Sequence, residues 1–439
     1  MRVLAALGLC LAANAFGGTC SFPGGTVILA PTPDADSAEG ILVNGISTHG
    51  NGEAGAFSFA INPSLTQLTD PLAEYCIGGP AYSFLMTRVL PDTTNLLGVY
   101  ADHVTHDYNY QTVTVNSGQV SVLSTVTLAQ VNQQLAAQGL QQVLDFNHEV
   151  RQLPSGNIAV LAHDEELAPC SEYPTECWAG YTSPEVDILG EQLLVLDPNG
   201  NVLWVWNAFN CVNCAQRLSI GDAAVLHEKC YQAAPQYCPI TLSTVAADWL
   251  HMNSISYDPA DGNLVVSIRH QDAIIKIAYQ NGTGDGHIVW RLGHDGGFKF
   301  NNISNVPSPW FSHQHDVEVV SDNPLTLSLF DNGNTRNAKD PSALSRVQVL
   351  TVNESKLIVK FAFNYDLPVY SNAFGSVQAL MNGNWWALAG AIENASGGYM
   401  SQGYEITPSG EVAYEMQYGA SGYRSWRLTG ISPFAPAPY

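Results

Sequence analysis

Four histidines, His148, His251, His313 and His315, stand where short apolar hairpins begin. Imidazole suits chemistry near neutral pH, because it acts as base, nucleophile or metal ligand without the prior ionisation that a hydroxyl needs. Strand arithmetic brings partners to these rings. In the hairpin centred on Ala260, positions 251 and 269 stand opposite each other, so His251 faces Arg269. Side chains alternate faces with period two, which sets Asn253 on the His251 face. The same alternation gives His313 and His315 one face and turns Asp316 away, while a turn between Ser155 and Gly156 sets His163 opposite His148.

Three chemistries fit such a cluster. Histidines and asparagines at strand ends cap turns and satisfy buried backbone groups. Three or four imidazoles could instead hold zinc or copper, although no convergent carboxylate second shell is evident in the sequence. The third is a pocket for a tetrahedral oxyanion: the Arg269 fork, Asn253 and imidazole N–H groups supply donors, and one histidine supplies a nucleophile. A Gly-x-x-x-x-Gly-Lys loop for nucleotide phosphates is absent from the chain.

The elements that must position these residues are strands. Most apolar segments are short, rich in β-branched and aromatic residues, and bounded by Gly, Pro, Asn or Asp. One hairpin type runs from His148 to Leu161, from His251 to Ile268 and, in a shorter copy, from Ser376 to Leu388. A second runs from Leu193 to Trp206 and from Ile406 to Tyr414, and more loosely from Ile274 to Trp290 and Val347 to Phe363. One hairpin of each type makes a four-stranded antiparallel sheet, and their recurrence predicts an all-β fold, a six-bladed β-propeller. Blades begin near Tyr82, His148, His251, His313 and Ser376, and a sixth combines residues 25–70 with a closing strand around Tyr423 to Leu428. A β-sandwich is the rival architecture. The one helix-like run spans Leu128 to Leu144, interrupted by Gly139.

Composition narrows the setting. The chain has 439 residues and a net charge of −23, with 16 Lys+Arg against 39 Asp+Glu, which argues against nucleic acid or an anionic membrane as partner. Arg2, the apolar run Val3 to Ala13 and Ala13-Asn14-Ala15 read as a signal peptide over residues 1–15, leaving 16–439 as a single propeller domain that is secreted or periplasmic. Eight cysteines remain after the leader, and export favours disulfides over the alternative zinc site of Cys211, Cys214, Cys230 and Cys238. Trp249, Trp310, Phe311 and Tyr404 are candidate walls for an aromatic ligand.

Trp249-Leu-His-Met-Asn253, Tyr257-Asp-Pro-Ala-Asp-Gly-Asn263 with Ser267-Ile-Arg-His-Gln271, Gln314-His-Asp316 with Leu329-Phe-Asp-Asn-Gly-Asn334, and Phe146-Asn-His-Glu-Val-Arg-Gln-Leu-Pro154 resemble the PAPS-independent arylsulfate sulfotransferases. The likeness extends over most of residues 145 to 435. It implies a six-bladed propeller in which a histidine takes a sulfuryl group from a phenolic sulfate ester and hands it to a phenolic acceptor, with no cofactor. By that resemblance His315 is the nucleophile, and His148, His251, Asn253 and Arg269 surround the sulfuryl group. His313, an extra imidazole two residues away, competes for the nucleophile position or contacts substrate. A non-catalytic ligand-binding propeller and a metal-dependent propeller hydrolase or lyase are the alternative functions.

Overall fold

The computed structural model describes residues 119–171, 183–210, 238–301 and 308–428, with short strand segments between 25 and 116 and around 230. The expected leader, Cys20, Cys177, Cys211 and Cys214 lie outside the described residues. The architecture is all-β, in six sheets.

Turn chemistry makes the hairpins. At Asp197-Pro-Asn-Gly200 the Asp197 N–H donates to the Asn201 carbonyl at 2.9 Å, and its carboxylate accepts from the Asn199 and Asn201 N–H groups at 2.8 and 2.9 Å. Gly200, at φ 83°, takes the left-handed position such a turn requires. Leu193 then pairs with Trp206, as the hairpin pattern predicts.

Six strands begin or close the sheets: Tyr82–Val89, Asn147–Gln152, Met252–Asp258, His315–Asp322, Ser376–Ala379 and Ser421–Leu428. Each touches the corresponding strand of the sheet before and after it, so the six close a propeller-like ring. Ser421–Leu428 pairs with Ile41–Ser47, joining the C-terminal strand to an N-terminal sheet.

Two expectations need correction. Only three of the six sheets have four strands; the others gain edge strands, such as Gly25–Leu29 on Val412–Tyr418 and the parallel Val245–Asp248 on Glu185–Leu196. These additions cover edges that would otherwise present unpaired backbone groups. The helix α1 stops at Leu128–Ala137 and does not reach Leu144. Thr127 and Gln130 form a capping box at its start, and Gly139, left-handed at φ 70°, turns the chain away after its end.

The core lies between neighbouring sheets. Leu264 and Val266 pack towards Leu161 and Leu193, whereas Val265 and Ile274 pack towards Val317 and Leu329. Strands buried on both faces must be apolar throughout, which explains the unbroken Leu264-Val265-Val266 run; each such side chain contributes about 1.5–3 kcal/mol. Cys230 and Cys238 are disulfide-bonded, Cα atoms 5.3 Å apart, so those two cannot serve the alternative zinc site as thiolates.

Candidate active site

Left-handed residues mark the mouths of the first strands. His148, His251, His313 and Asp316 have φ values of 37°, 52°, 52° and 54°, unusual for residues with a Cβ. Such strain concentrates at functional sites, where the surrounding fold holds it in place. It also shifts register. Beside Asn147–Gln152 the ladder slips between Val160 and Leu161, so Leu161 pairs with Asn147 and His163 stands across from Glu191 on the other neighbouring strand. The expected ladder pairing of His163 with His148 is therefore incorrect, although the two rings still meet edge to face at 6.3 Å.

The Ala260 hairpin keeps its expected register at the pocket end: Met252 pairs with Ile268, and the Arg269 N–H donates to the His251 carbonyl at 3.3 Å. A bulge between Met252 and Ser254 leaves Asn253 outside the ladder, so strict alternation does not fix its face. The alternation argument also fails for His313, which precedes the strand starting at His315. Asp316 does turn away, towards Arg88 and Arg424.

The rings form a continuous chain. His148 lies 4.5 Å from His251, His251 lies 4.5 Å from His270, and His270 lies 5.8 Å from His313. Carboxylates hold several outer nitrogens: Asp145 bonds His163 Nδ1 at 2.8 Å, Asp248 bonds His251 Nδ1 at 2.7 Å, and Asp272 bonds His313 Nδ1 at 3.0 Å. This is the carboxylate second shell that sequence reading did not find. Arg269 reaches into the chain through His270 Nε2.

His315 is held differently. Its Nδ1 lies 2.7 Å from Asn332 Oδ1 and 3.1 Å from the His313 carbonyl oxygen. Asn332 Nδ2 donates to the Ser371 and Phe374 carbonyls at 2.8 and 2.9 Å, which fixes the amide with its oxygen towards the ring. With only acceptors facing Nδ1, the neutral ring carries its proton there and leaves the Nε2 lone pair available.

Electrostatics keep this lone pair free. Burial, and then the charge of Arg269, push His315 well below the usual imidazole range. Burial and the neighbouring His251, His163 and His315 do the same to His148, and burial brings His251 down to about 4 against the pull of Asp248. His313 is lowered by burial and Arg269. His163 goes the other way: although burial opposes it, Asp145 lifts it to about 9.

Asn253 is fully buried and donates from Nδ2 to the Gln314 carbonyl at 2.8 Å, while its Oδ1 has no hydrogen-bond partner. The structure thus brings His148, His251, Arg269, His313 and His315 into one linked polar cluster, with Asn253 against the backbone that leads into His315.

Of the expected aromatic walls, Trp249 and Tyr404 belong to the interior, whereas Trp310 and Phe311 line a cavity beside the cluster. Trp249 stacks on Phe209 in the core, Tyr404 is fully buried, and Phe311 is buried near Trp310. The rings that do approach the cluster are Phe374, 6.5 Å from His315, and Tyr423, 6.2 Å from His148. Gly375 follows Phe374 at φ 131°, where a Cβ would strike the Phe330 ring. That Phe-Gly pair was the sequence signal for a bent aromatic. A cavity of about 710 Å³ reaches the cluster at Asp272 and is lined further by Gln271, Trp310, Phe311, Arg336 and Arg346.

No curated protein matches the chain. Similar solved structures include TolB from Acinetobacter baumannii, with 10% identity, a TM-score of 0.43, and coverage of 91% of this chain and 67% of that one. The periplasmic gluconolactonase PpgL of Pseudomonas aeruginosa shows 12% identity and a TM-score of 0.42, over 91% of this chain and 99% of its own. A hypothetical selenium-binding protein from Sulfolobus tokodaii shows 10% identity and a TM-score of 0.45, over 91% and 95%. Likenesses this distant carry no argument here. The arylsulfotransferase (ASST) family model, by contrast, matches residues 103–425 and spans all of the histidine cluster. On the strength of that match, the chain belongs to the arylsulfotransferase family.

Proposed function

We propose that this protein is an exported, six-bladed, PAPS-independent sulfotransferase of one propeller domain, passing a sulfuryl group from a phenolic sulfate ester to a phenol through a sulfohistidine at His315. The observation that carries this reading is the protonation geometry of His315: two acceptors on Nδ1 leave Nε2 as the free nucleophilic atom. Family membership supplies the substrate class. The six sheets are read as six blades, and the disulfide of Cys230 with Cys238 suits an oxidising compartment. No helix among the described residues is long and apolar enough to cross a membrane.

In the first half-reaction His315 Nε2 attacks sulfur, the N–S bond forms, and the aryl S–O bond breaks with its electron pair leaving on the phenolate. Arg269 offsets the negative charge carried by the sulfuryl oxygens and the departing oxygen. In the second half-reaction the acceptor phenol loses its proton to His251 Nε2 and attacks sulfur, and the N–S electron pair returns to His315. Asp248 on Nδ1 orients His251 for that step, as a carboxylate does for a catalytic histidine base. His148 lies against His251, and His313 positions His315 through its carbonyl oxygen. Phe374 offers an aromatic face beside His315.

The test is direct. With an aryl sulfate alone, phenol release should stop at one equivalent per protein, and mass spectrometry should find the sulfuryl group on the peptide holding His315. Adding a second phenol should restore turnover with parallel initial-rate plots. Continuous phenol release without acceptor, or turnover by a His315→Ala, His313→Ala double variant, would falsify covalent histidine transfer.

A further inference from the structure

Three clusters among the described residues bring three potential metal-ligand atoms within 4.8 Å of one another: Asp258, Asp261 and Glu354; Asp248, His251 and His270; and His148, His163 and Glu191. The first is already filled by a cation of the protein itself, since Lys276 Nζ lies 2.7, 2.6 and 2.8 Å from its three carboxylates. The second is closed by a proton, with His251 Nδ1 bonded directly to Asp248 at 2.7 Å. In the third no hydrogen bond joins the ligand atoms, and His163 Nε2 faces Glu191 only at 3.8 Å. His163 is 5% exposed and its Nε2 has no hydrogen-bond partner, and His148 Nδ1 is likewise buried and unpartnered.

Two orphaned ring nitrogens beside a fully buried carboxylate favour a cation over an anion, because Glu191 would repel an anion in that gap. The separation of His163 Nε2 from Glu191 Oε1 is 3.8 Å, too long for a hydrogen bond. It is close to the roughly 3.3 Å between ligands on a tetrahedral zinc ion with bonds of ~2.0–2.2 Å. The outer shell agrees. His163 Nδ1 lies 2.8 Å from Asp145, the carboxylate–imidazole pairing that orients metal-bound histidines. Glu191 is anchored by the Met252 N–H at 2.8 and 2.7 Å, which leaves lone pairs on both oxygens.

We infer that His148, His163 and Glu191 form a site for one divalent transition-metal cation of the zinc class, next to the histidine cluster. Imidazole and carboxylate ligands select such an ion over calcium or magnesium, which prefer all-oxygen shells. The site stands on its own residues and does not require sulfuryl transfer.

The experiment is to strip the full-length protein with a chelator, titrate it with zinc chloride in a calorimeter, and measure bound metal after dialysis. The wild type should hold one equivalent. His163→Ala and Glu191→Gln should each weaken binding at least ~100-fold, Asp145→Asn about 10- to 100-fold, and His270→Ala, in the proton-closed cluster, less than ~3-fold. Circular dichroism checks each fold, and the partly exposed His148→Ala replaces any variant that misfolds, with the same expected loss. His315→Ala should bind zinc like the wild type whether or not it transfers sulfuryl groups, which separates this inference from the proposed reaction. Less than stoichiometric uptake by folded wild type, or zinc retained at full affinity by the His163 and Glu191 variants, overturns the site.

Discussion

Neighbouring residues on the same strands build two polar levels of opposite character. At one level His148 and His315 belong to the histidine cluster; one residue further along, Glu149 and Asp316 enter a network with Arg88 and Arg424. That network extends through Glu318 to Arg151, matching three guanidinium groups with three carboxylates. Arg88 reaches Glu149 at 2.6 Å and Asp316 at 2.9 Å, and Arg424 also donates to the Asn253 carbonyl. Charges are paired within the fold, which is the condition under which burying them is tolerated. In the histidine level, carboxylates hold the outer nitrogens and reactive or orphaned nitrogens remain. The contrast separates a level that joins sheets from one that leaves atoms available for chemistry.

The largest expected effect is on the histidine level alone. His315→Ala should remove phenol release and transfer together, by on the order of 10⁴-fold or more, with stability nearly unchanged. Assays of both half-reactions alongside urea denaturation check this. His313→Ala should cost about 10-fold at most; the reverse ranking moves the nucleophile two residues upstream. The ion level should behave oppositely. Glu149→Ala leaves Arg88 and Arg424 short of a buried partner and should destabilise the protein by about 3–5 kcal/mol. If Glu149→Ala instead abolished turnover in a protein of normal urea midpoint, the two levels would not be separable.

Sequence reading reached the blades more readily than the second shell. The starts at Tyr82, His148, His251, His313 and Ser376 fall within two residues of observed strands, and the closing strand around Tyr423 to Leu428 pairs as expected. Turn residues and apolar runs are local signals, so they survive without knowledge of the fold. Registers near the site survived only in part: positions 251 and 269 still face each other, but the left-handed His148 and the bulge at Asn253 insert steps that strict alternation cannot count. These ring partners were hidden by distance: the Asp272 carboxylate meets His313 from 41 residues away, and the Asn332 amide reaches His315 across 17. Asp248 stands only three residues before His251, yet in a bent segment no periodicity points one at the other.

A smaller effect sharpens how Asn332 sets the boundary between the levels. Asn332→Ala should slow transfer about 10- to 100-fold by freeing the His315 ring, by analogy with the outer partners of functional histidines. Asn332→Asp keeps an acceptor on Nδ1 but adds negative charge, which raises the pKa of His315. Because the nucleophile must be neutral, the acid limb of the rate profile should move to higher pH in Asn332→Asp. A profile that keeps its wild-type limb would show that Asn332 does not govern the His315 proton.

The last expected effect is the pH dependence of stability in the chelated protein, and its sign differs among the histidines. Burial holds His251 at about 4, and holds His148 and His315 well below the ordinary value near 6.5 that an unfolded chain recovers. Between those values the unfolded state binds protons that the fold excludes. Stability from these three rings is therefore full above about pH 6.5 and falls as the pH drops towards 4, by at most ~1.4 kcal/mol per pH unit for each ring. His163 runs the other way: Asp145 lifts it to about 9, so its contribution is full below about 6.5 and is lost as the pH rises through 9. Urea midpoints should then decline on both sides of a plateau near neutrality, more steeply towards acid, where three rings act against one. His163→Ala should flatten the alkaline decline and leave the acid one in place. An alkaline decline of unchanged slope in that variant would mean that the Asp145–His163 pair belongs with the inert ion network and not with the histidine level.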